Sequence, residues 1–489
     1  GAADLMRRAM GKKKAKDMEV QRSLFVDGCA SHSQIDAKKA NEIFDLIDKF
    51  AGYGFNKSHS AAYGLITYQT AYLKHHFRVA FMAALMTADK DKNDNVVKFI
   101  AEARGAGIGV LPPDVNESGR DFSVVRRVTG DESDGTPPRE EQLIRFGLGA
   151  VRGVGAAAVD SILDARRSEG PFASLFELCR RIDLKKANKR TLEGLLRAGA
   201  FDSVAGGRGR AQMFGAIESA VDQGQSAQRD RESGQRGLFD LLADTEAETV
   251  YVEEYPECEE WSPKERLVAE REALGFYLTG HPLDRFSQDV ERFATTNVGN
   301  LRKDMSGNEI VLAGVICDFR EVQTRSGKGP MSFFQLEDQY GRVEAIVFPK
   351  TYARVDEATG LSVAEQLEQA GDEPILVAGK VEVEVGDDGE VQRYKVLVDT
   401  LQHVAQVRAE RTAKVHLTLR QDQLTDDKVL ALKHVVSDHG GQCKMELTVL
   451  VDDRFSSNIV FGDEFCVSAD EGLLLALERL FGKDAVRCG

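Results

Sequence analysis

The sequence predicts a multidomain chain of mixed α and β class. It reads as mainly helical as far as residue 303, with tandem helix-hairpin-helix units inside that stretch, followed by a five-stranded OB-fold barrel and a small α+β unit. Three observations carry this. Apolar residues recur at helical spacing early in the chain, at Ile43, Phe44, Ile47 and Phe50 and again at Leu65, Tyr68, Tyr72 and Leu73. Within 142–204, tight turns open directly onto helices. From residue 309 the pattern changes to strand-like runs separated by turn signals.

Residues 1–128 read as helical throughout. The stretch 61–87 is apolar nearly all round, which predicts a helix buried in a larger domain. Residues 129–141, rich in Gly, Asp and Pro, read as a loop insert at the start of a second region, 129–204. There, Gly149-Ala150-Val151-Arg152-Gly153-Val154-Gly155 is a tight hairpin leading into helix 156–167. Helix 174–182 then pairs with helix 188–198, capped by Asn188 and stopped by Gly199. Such hairpins offer backbone N–H groups and a helix N-terminus to DNA phosphates, whatever the base sequence. The candidate DNA contacts are Arg152, Gly153, Val154 and Gly155 in the first unit and Lys185, Lys186, Lys189 and Arg190 in the second. The plainer alternative is a helical connector whose glycines only make the bend.

Residues 205–242 are expected to be a flexible linker, because Gly206-Gly207-Arg208-Gly209-Arg210 is followed by a polar, Gln-rich run. The linker ends in Gln235-Arg236-Gly237-Leu238-Phe239-Asp240. Leu238 and Phe239 would fill an apolar pocket on a partner while the Gln235 amide sets the register. Alternatively, Leu238, Phe239, Leu241 and Leu242 make one amphipathic turn packed on their own domain. Residues 243–303 read as a helical bridge that starts at Ser262-Pro263 and breaks at Gly280-His281-Pro282, with His281 as a turn residue.

Residues 304–405 hold five predicted strands, 309–323, 331–338, 342–348, 374–386 and 391–399, with a helical stretch near 361–370 between the third and fourth. That is the plan of an OB barrel, which binds single strands through basic and aromatic groups. Arg320, Arg325, Lys328 and Phe334 are the candidates, with Phe333 and Arg342 beside them; alternation puts half of such aromatics in the core. Residues 406–489 read as strands 414–419, 443–451, 458–461 and 464–467 interleaved with helices 426–438 and 470–482.

Composition narrows the function. Apolar and charged contents of 42% and 29% fit a soluble globular chain, and no apolar run approaches the roughly 18 residues of a membrane span, so no membrane partner is expected. The cysteines (29, 179, 258, 317, 443, 466, 488) form no Cys-x-x-Cys pair and the histidines are dispersed. Neither a disulfide framework nor a zinc ribbon is indicated, and a reducing cytoplasm is the expected home. A net charge of −15 argues against a generally adhesive DNA binder. Positive charge is nevertheless concentrated at Lys12, Lys13, Lys14 and Lys16 and again between Arg180 and Arg190.

The sharpest motif is Gly52-Tyr53-Gly54-Phe55-Asn56-Lys57-Ser58-His59-Ser60. Its glycines permit close backbone approach. Asn56, Lys57, Ser58 and His59 can all donate to phosphate oxygens. An apolar helical run follows, so these donors sit near a helix N-terminus, where the macrodipole favours anions. The motif reads as a polyphosphate cradle, or else as a capped helix start with Asn56 or Ser58 as N-cap.

This motif, followed by Tyr68-Gln69-Thr70 and Phe81-Met82-Ala83-Ala84, resembles the fingers domain of the bacterial replicative polymerase family, the alpha subunit of DNA polymerase III. Met6 to Lys14, Leu111 to Asn116, Gly147 to Gly155 and Leu274 to Pro282 resemble the same family in the same order, so the resemblance covers essentially the whole chain and matches the family's C-terminal half. It implies that 1–128 is part of the fingers, with Asn56, Lys57, Ser58 and His59 on the dNTP phosphates. It implies that Gln235, Leu238 and Phe239 bind the beta sliding clamp and that 406–489 contacts the tau subunit of the clamp loader. For the full-length enzyme it implies template-directed DNA synthesis on primer-template DNA with dNTP and Mg²⁺, and contact with the proofreading exonuclease subunit through an upstream region.

The family's catalytic aspartates lie in a palm upstream of the fingers. No catalytic residue and no metal ligand is therefore assigned here. Asp89-Lys90-Asp91, with Asp94 nearby, reads as a solvated helix-terminating turn. The chain opens Gly1-Ala2-Ala3-Asp4 and reads as a fragment without its N-terminal part, inactive alone. An error-prone relative in the same family and a non-enzymatic DNA-and-clamp adaptor are the alternatives.

Overall fold

The computed structural model describes residues 15–52, 57–129, 139–233, 252–324, 329–356, 360–386, 391–451, 455–482 and 485–489, with Met6 and Gly327. It divides into two compact units, Gly1–Phe81 with Val385–Glu390, and Met82–Glu384 with Val391–Gly489.

In the first unit, α1 (Ala15–Ser33) and α2 (Ala37–Gly52) form an antiparallel pair. The pair closes over Phe44, which is fully buried. The Phe25 ring lies 5.7 Å from it, and Arg22 lies 4.8 Å over it while reaching Asp45 at 2.6 Å. The next helix, α3 (Lys57–His76), has no buried residue: Tyr63, Leu65, Ile66, Tyr68, Tyr72 and Leu73 are all exposed. The expectation of a buried helix over 61–87 therefore fails for 61–76 and holds only beyond it, where Met82, Ala83 and Met86 are buried. The all-round apolar surface of α3 would need a cover, and the described residues supply none.

The chain passes into the second unit within α4 (Arg78–Ala88), followed by α5 (Asn93–Gly105). Strands β1 (Val110–Leu111), β2 (Ser123–Thr129) and β3 (Arg139–Arg145) make a small sheet in the order β1-β3-β2. The expectation of helix through 128 fails here, because β-branched Val124, Val125 and Val128 pair along β3. Helices α6 (Ala156–Glu169), α7 (Leu175–Arg181) and α8 (Lys189–Arg197) fall within two or three residues of the expected bounds.

The linker expected from 205 is overturned as far as Ser233, for that stretch is α9 (Arg210–Gly215) and α10 (Ile217–Ser233). Small residues Ala220, Gly224 and Ala227 are buried at helical spacing and let α10 lie against α7. The Gln side chains are structural: Gln228 Nε2 donates to Ile182 O at 2.5 Å, and Gln223 accepts from Arg180 at 2.8 Å. Gln235, Leu238 and Phe239 lie outside the described residues.

The bridge helix α11 (Pro263–Leu274) begins at a Ser262–Glu265 capping box with Pro263 in its first turn, and ends at Gly275 in the left-handed conformation. A 3-10 turn (Pro282–Phe286) and α12 (Ser287–Phe293) follow. Strands β4 (Glu309–Gln323), β5 (Pro330–Asp338), β6 (Gly341–Val347), β7 (Ile375–Val385) and β8 (Val391–His403) close a barrel in the order β4-β5-β6-β8-β7, with α13 (Pro349–Tyr352) and α14 (Val363–Ala370) between β6 and β7. The strands follow the expected OB plan, within one residue of the expected bounds except that β8 runs four residues beyond 399.

After α15 (Val404–Arg411), the last unit pairs β9 (Lys414–Arg420), β10 (Gly440–Val451), β11 (Phe455–Val460) and β12 (Val486–Cys488) in the order β11-β10-β9-β12, with α16 (Asp426–Asp438) and α17 (Glu471–Phe481). The strand expected at 464–467 is instead a 3-10 turn (Asp463–Phe465) and two isolated bridges from Val467, to Gly440 and Cys443, and the terminal strand β12 lies outside the expected elements.

A Cβ at position 224 would fall well inside van der Waals contact of the Cys179 carbonyl, whereas one at Gly105 meets nothing. Gly224→Ala should therefore destabilise the α7–α10 pair by about 1–3 kcal/mol, and Gly105→Ala should be neutral or stabilising by up to ~1 kcal/mol. Urea unfolding followed through Trp261, whose ring lies 5.5 Å from Phe214 of α9, reads both.

Candidate nucleic-acid interface

The first hairpin joins a 3-10 turn (Leu148–Ala150) to α6. Gly153 holds φ at +76°, a conformation open to glycine without strain. Ala158 N and Val159 N both donate to Gly155 O, at 3.0 and 3.1 Å, so the Gly155, Ala156 and Ala157 amides precede the first intrahelical bond. Arg152, Gly153 and Gly155 are exposed around this helix start. Val154 is not available as predicted: its side chain is buried and its amide donates to Val151 O at 3.2 Å. It anchors the hairpin to the core.

The second hairpin runs from Ile182 to Asn188. Asn188 caps α8 by accepting from Thr191 N at 3.1 Å, as expected. Asp183 N donates to Ser161 Oγ of α6 at 2.7 Å, which ties the two hairpin units together. Lys185, Lys186, Lys189 and Arg190 are all exposed here. Lys186 lies 3.3 Å from Asp183 and Lys189 3.2 Å from Glu218, exposed pairs that contribute little and leave both ammonium groups able to compete for a phosphate. Arg181 belongs to a different class. Its side chain is only 4% exposed, donates to Ala165 O and Gly170 O at 2.8 and 2.7 Å, and lies over the Phe172 ring. The basic run at 180–190 thus divides into buried struts and exposed cations.

On the barrel, Phe334 is corrected. It is 1% exposed inside the barrel core, opposite Ala345, so its ring cannot stack on a base. Arg342 is also occupied, with Glu337 at 2.8 Å and Gly275 O at 2.6 Å. Arg325 and Lys328 lie outside the described residues. Arg320 is exposed and stands directly opposite half-buried Phe333, which in turn stands opposite Ile346; directly paired residues share a face. Arg393 and Lys395 of β8 join that outer face beside Glu344, at 3.7 and 3.9 Å. Sequence reading missed them, although Arg393, Lys395 and Leu397 alternate with the buried Val396 and Val398, which is the signal of an outward face.

Asn56 lies outside the described residues. Lys57, Ser58 and His59 form the exposed first turn of α3, with the His59 ring stacked on Tyr63 at 4.4 Å. At the Asp-x-Asp sequence, Asp89 is engaged by Lys92 at 2.8 Å and Asn95 at 2.7 Å, and Lys90 reaches Asp121 at 2.7 Å. Among the described residues no three His, Cys, Asp or Glu side chains converge as a metal cluster would require. Held by Lys92 and Asn95, Asp89 does not fit a polymerase metal pair.

A family model described as a helix-hairpin-helix motif matches residues 107–213. DNA polymerase III subunit alpha of Pseudomonas aeruginosa is 37% identical over 500 residues, covering 99% of this chain and 40% of that protein. The subunit from Escherichia coli K12 is 35% identical over 492 residues, covering 99% and 39%. This chain belongs to the DNA polymerase III alpha-subunit family. It spans about 40% of the length of the curated relatives it matches. The second OB-fold domain of replication protein A from Methanococcus maripaludis covers 22% of the chain at 15% identity with a TM-score of 0.14; the alpha-family barrel is identified by its own strand order, not by that likeness. Among the described residues no helix is long and apolar enough to cross a membrane.

Between the hairpins and the barrel, this alpha-family chain buries His281. Its Nδ1 accepts from Leu283 N at 3.1 Å and its backbone N–H donates to Asp284 at 2.7 Å, so it caps the 3-10 turn, in keeping with its reading as a turn residue. Burial pushes its pKa down to about 4; Asp284 opposes the shift and the Arg271 charge adds to it. The unfolded imidazole takes a proton near pH 6.5 and the folded one does not. Stability contributed by the neutral ring is therefore present above pH 6.5 and lost as pH falls towards 4, by at most on the order of 3 kcal/mol. His281→Asn, which keeps a capping acceptor, should flatten that part of a plot of urea midpoint against pH.

Proposed function

We propose that this chain provides the nucleotide-gripping, DNA-holding and partner-binding parts of a replicative DNA polymerase of the cytoplasm, while the carboxylates that bind Mg²⁺ and carry out nucleotidyl transfer lie outside it. The match to alpha subunits along 99% of the chain carries this reading. Asn56, Lys57, Ser58 and His59 bind the dNTP triphosphate, and the last three are exposed in the first turn of α3, at the positive end of a helix. The two hairpins hold the duplex backbone through Arg152, Gly153, Gly155, Lys185, Lys186, Lys189 and Arg190. The barrel takes single-stranded template on the face carrying Arg320, Phe333, Arg393 and Lys395, with Arg325 and Lys328 as further contacts.

Gln235, Leu238 and Phe239 bind the beta sliding clamp, and residues 406–489 contact the tau subunit of the clamp loader. The proofreading exonuclease subunit is reached through a region other than this chain. The clamp peptide and the elaborated C-terminal unit favour the replicative form over an error-prone relative. Without the palm acids, the isolated chain is expected to extend no primer.

The hairpin reading predicts a salt signature. Lys185→Ala and Lys186→Ala should each weaken duplex binding equally for all sequences and reduce the slope of log K against log salt by about 0.9. Fluorescence anisotropy at several salt concentrations measures it, and an unchanged slope in the double variant rules these two residues out as phosphate contacts. Separately, Phe239→Ala should abolish binding to the clamp ring and leave DNA affinity intact. Clamp affinity unchanged by that substitution, read by surface plasmon resonance, removes the clamp assignment.

A further inference from the structure

A cleft of about 340 Å³ opens where α5, the loop after α11 and the β5–β6 turn meet. Val97, Ile100 and Ala101 of α5 form one wall, and Phe276, Tyr277 and Leu278 form another. Tyr340, 48% exposed at the tip of the β5–β6 turn, stands at the rim. Two donors line this apolar space. Arg104 is held by the Leu278 carbonyl, which fixes its guanidinium at the edge. His281 is 6% exposed, and its Nε2 is buried with no hydrogen-bond partner among the described residues. Because Nδ1 accepts from the Leu283 amide, the neutral ring carries its proton on Nε2. A buried donor without an acceptor costs free energy until something accepts from it. The carboxylates around the cleft are otherwise engaged: Asp338 receives the Val298, Tyr340 and Gly341 amides, Glu337 is paired with Arg342, and Asp284 takes the His281 amide and the Gln339 side chain.

We propose that this cleft is a nucleobase pocket, which receives one unstacked base of a DNA strand running between the hairpins and the barrel. The proposal rests on the reading of this chain as a DNA-binding part of a polymerase. Its chemistry selects a base over a phosphate. Asp284, Glu337 and Asp338 leave no positive excess in which an anion would sit, and one planar molecule with apolar faces and acceptor edges suits two aliphatic and aromatic walls, the rim tyrosine and the His281 Nε2 proton. The base edge would accept from His281, with Arg104 at the mouth and Tyr340 against the exposed part of the ring.

The test uses the full chain and single-stranded oligonucleotides carrying one 2-aminopurine at successive positions, with an end label that reports total binding by anisotropy. One position is expected to change its emission in step with binding. An abasic site at that position should weaken binding by about tenfold, the value of one lost stacking contact. Ala101→Phe, which fills the cleft from its wall, should remove both the emission change and the affinity difference between intact and abasic strands. Tyr340→Ala, at an exposed turn position, carries the same expectation if Ala101→Phe perturbs folding. If the strand binds but no single position responds, or both variants keep the full preference for the intact strand, the pocket is overturned and the DNA-binding reading survives. If no strand binds at all, that reading fails and the pocket falls with it.

Discussion

One buried carboxylate organises the larger unit. Glu270 on α11 is fully buried, and its Oε1 accepts the Leu278 amide and, at 2.8 Å, the Thr279 amide. A carboxylate at that depth needs donors to meet it, and those on Oε1 come from the loop that follows its own helix, while Oε2 meets none among the described residues. The loop is thereby folded back, and carbonyls of the last turn of α11 and of the loop become fixed anchor points. Ala273 O receives the Arg152 amide of the first hairpin at 2.8 Å, Gly275 O receives Arg342 of β6 at 2.6 Å, and Leu278 O receives Arg104 of α5. Hairpin, helix and barrel are held to one short segment by its main chain. A change of side chain in that loop would disturb packing, whereas loss of Glu270 would release the geometry that all three share.

The same logic sorts the cations of an acidic chain. Arg181, Arg210, Arg342 and Arg408 are each nearly buried and face a carboxylate or several carbonyls, Arg210 with Asp202 at 2.6 Å and Arg408 with Asp289 at 3.4 Å. Their charge is spent within the fold, and removing Arg342 or Arg408 would strand a buried acid, Glu337 or Asp289. The lysines of the second hairpin and Arg320 remain at the surface, where a pairing costs little to exchange for a phosphate. Net charge therefore says little about where a polyanion would bind. Burial, which no count of Lys and Arg reveals, separates the two groups.

What was legible in the sequence follows from how local each signal is. Four of the five barrel strands were legible to within a residue because alternation, Gly-Asp turns and a β-branched interior all act within a few residues. The Asn188 cap and the helix start at Ser262-Pro263 were legible for the same reason. Residues 205–233 were misread because Gln and Gly, which signal disorder in isolation, here serve contacts made at a distance: Gly224 admits the Cys179 carbonyl and Gln228 satisfies the carbonyls that end α7. The three residues of β12 were too few for any periodicity and exist only because β9 offers an edge. At the candidate site, the hairpin lysines were legible as charge, but Val154 was not legible as an anchor, since its role depends on what lies behind it.

The pair Phe333–Phe334 marks the limit most sharply. Two adjacent aromatics in a strand must point to opposite faces, and the sequence of β5 alone does not say which is which. The choice is made across the sheet. In β4, Val315 and Cys317 face outward and are covered by Tyr277 and Leu267. Simple alternation would send Phe319 outward next and turn Arg320 into the barrel. Instead a bulge intervenes: Cys317 pairs with Gln335 and Arg320 with Phe333, so three steps on β4 answer two on β5, and Asp318 adopts φ +50°. Phe319 is thereby turned towards the core cluster and Arg320 outward beside Phe333. One inserted residue converts a strand that would have buried an arginine into one that presents a cation next to an aromatic ring. The face proposed to take single-stranded DNA exists because of that bulge, and no count of basic or aromatic residues would locate it.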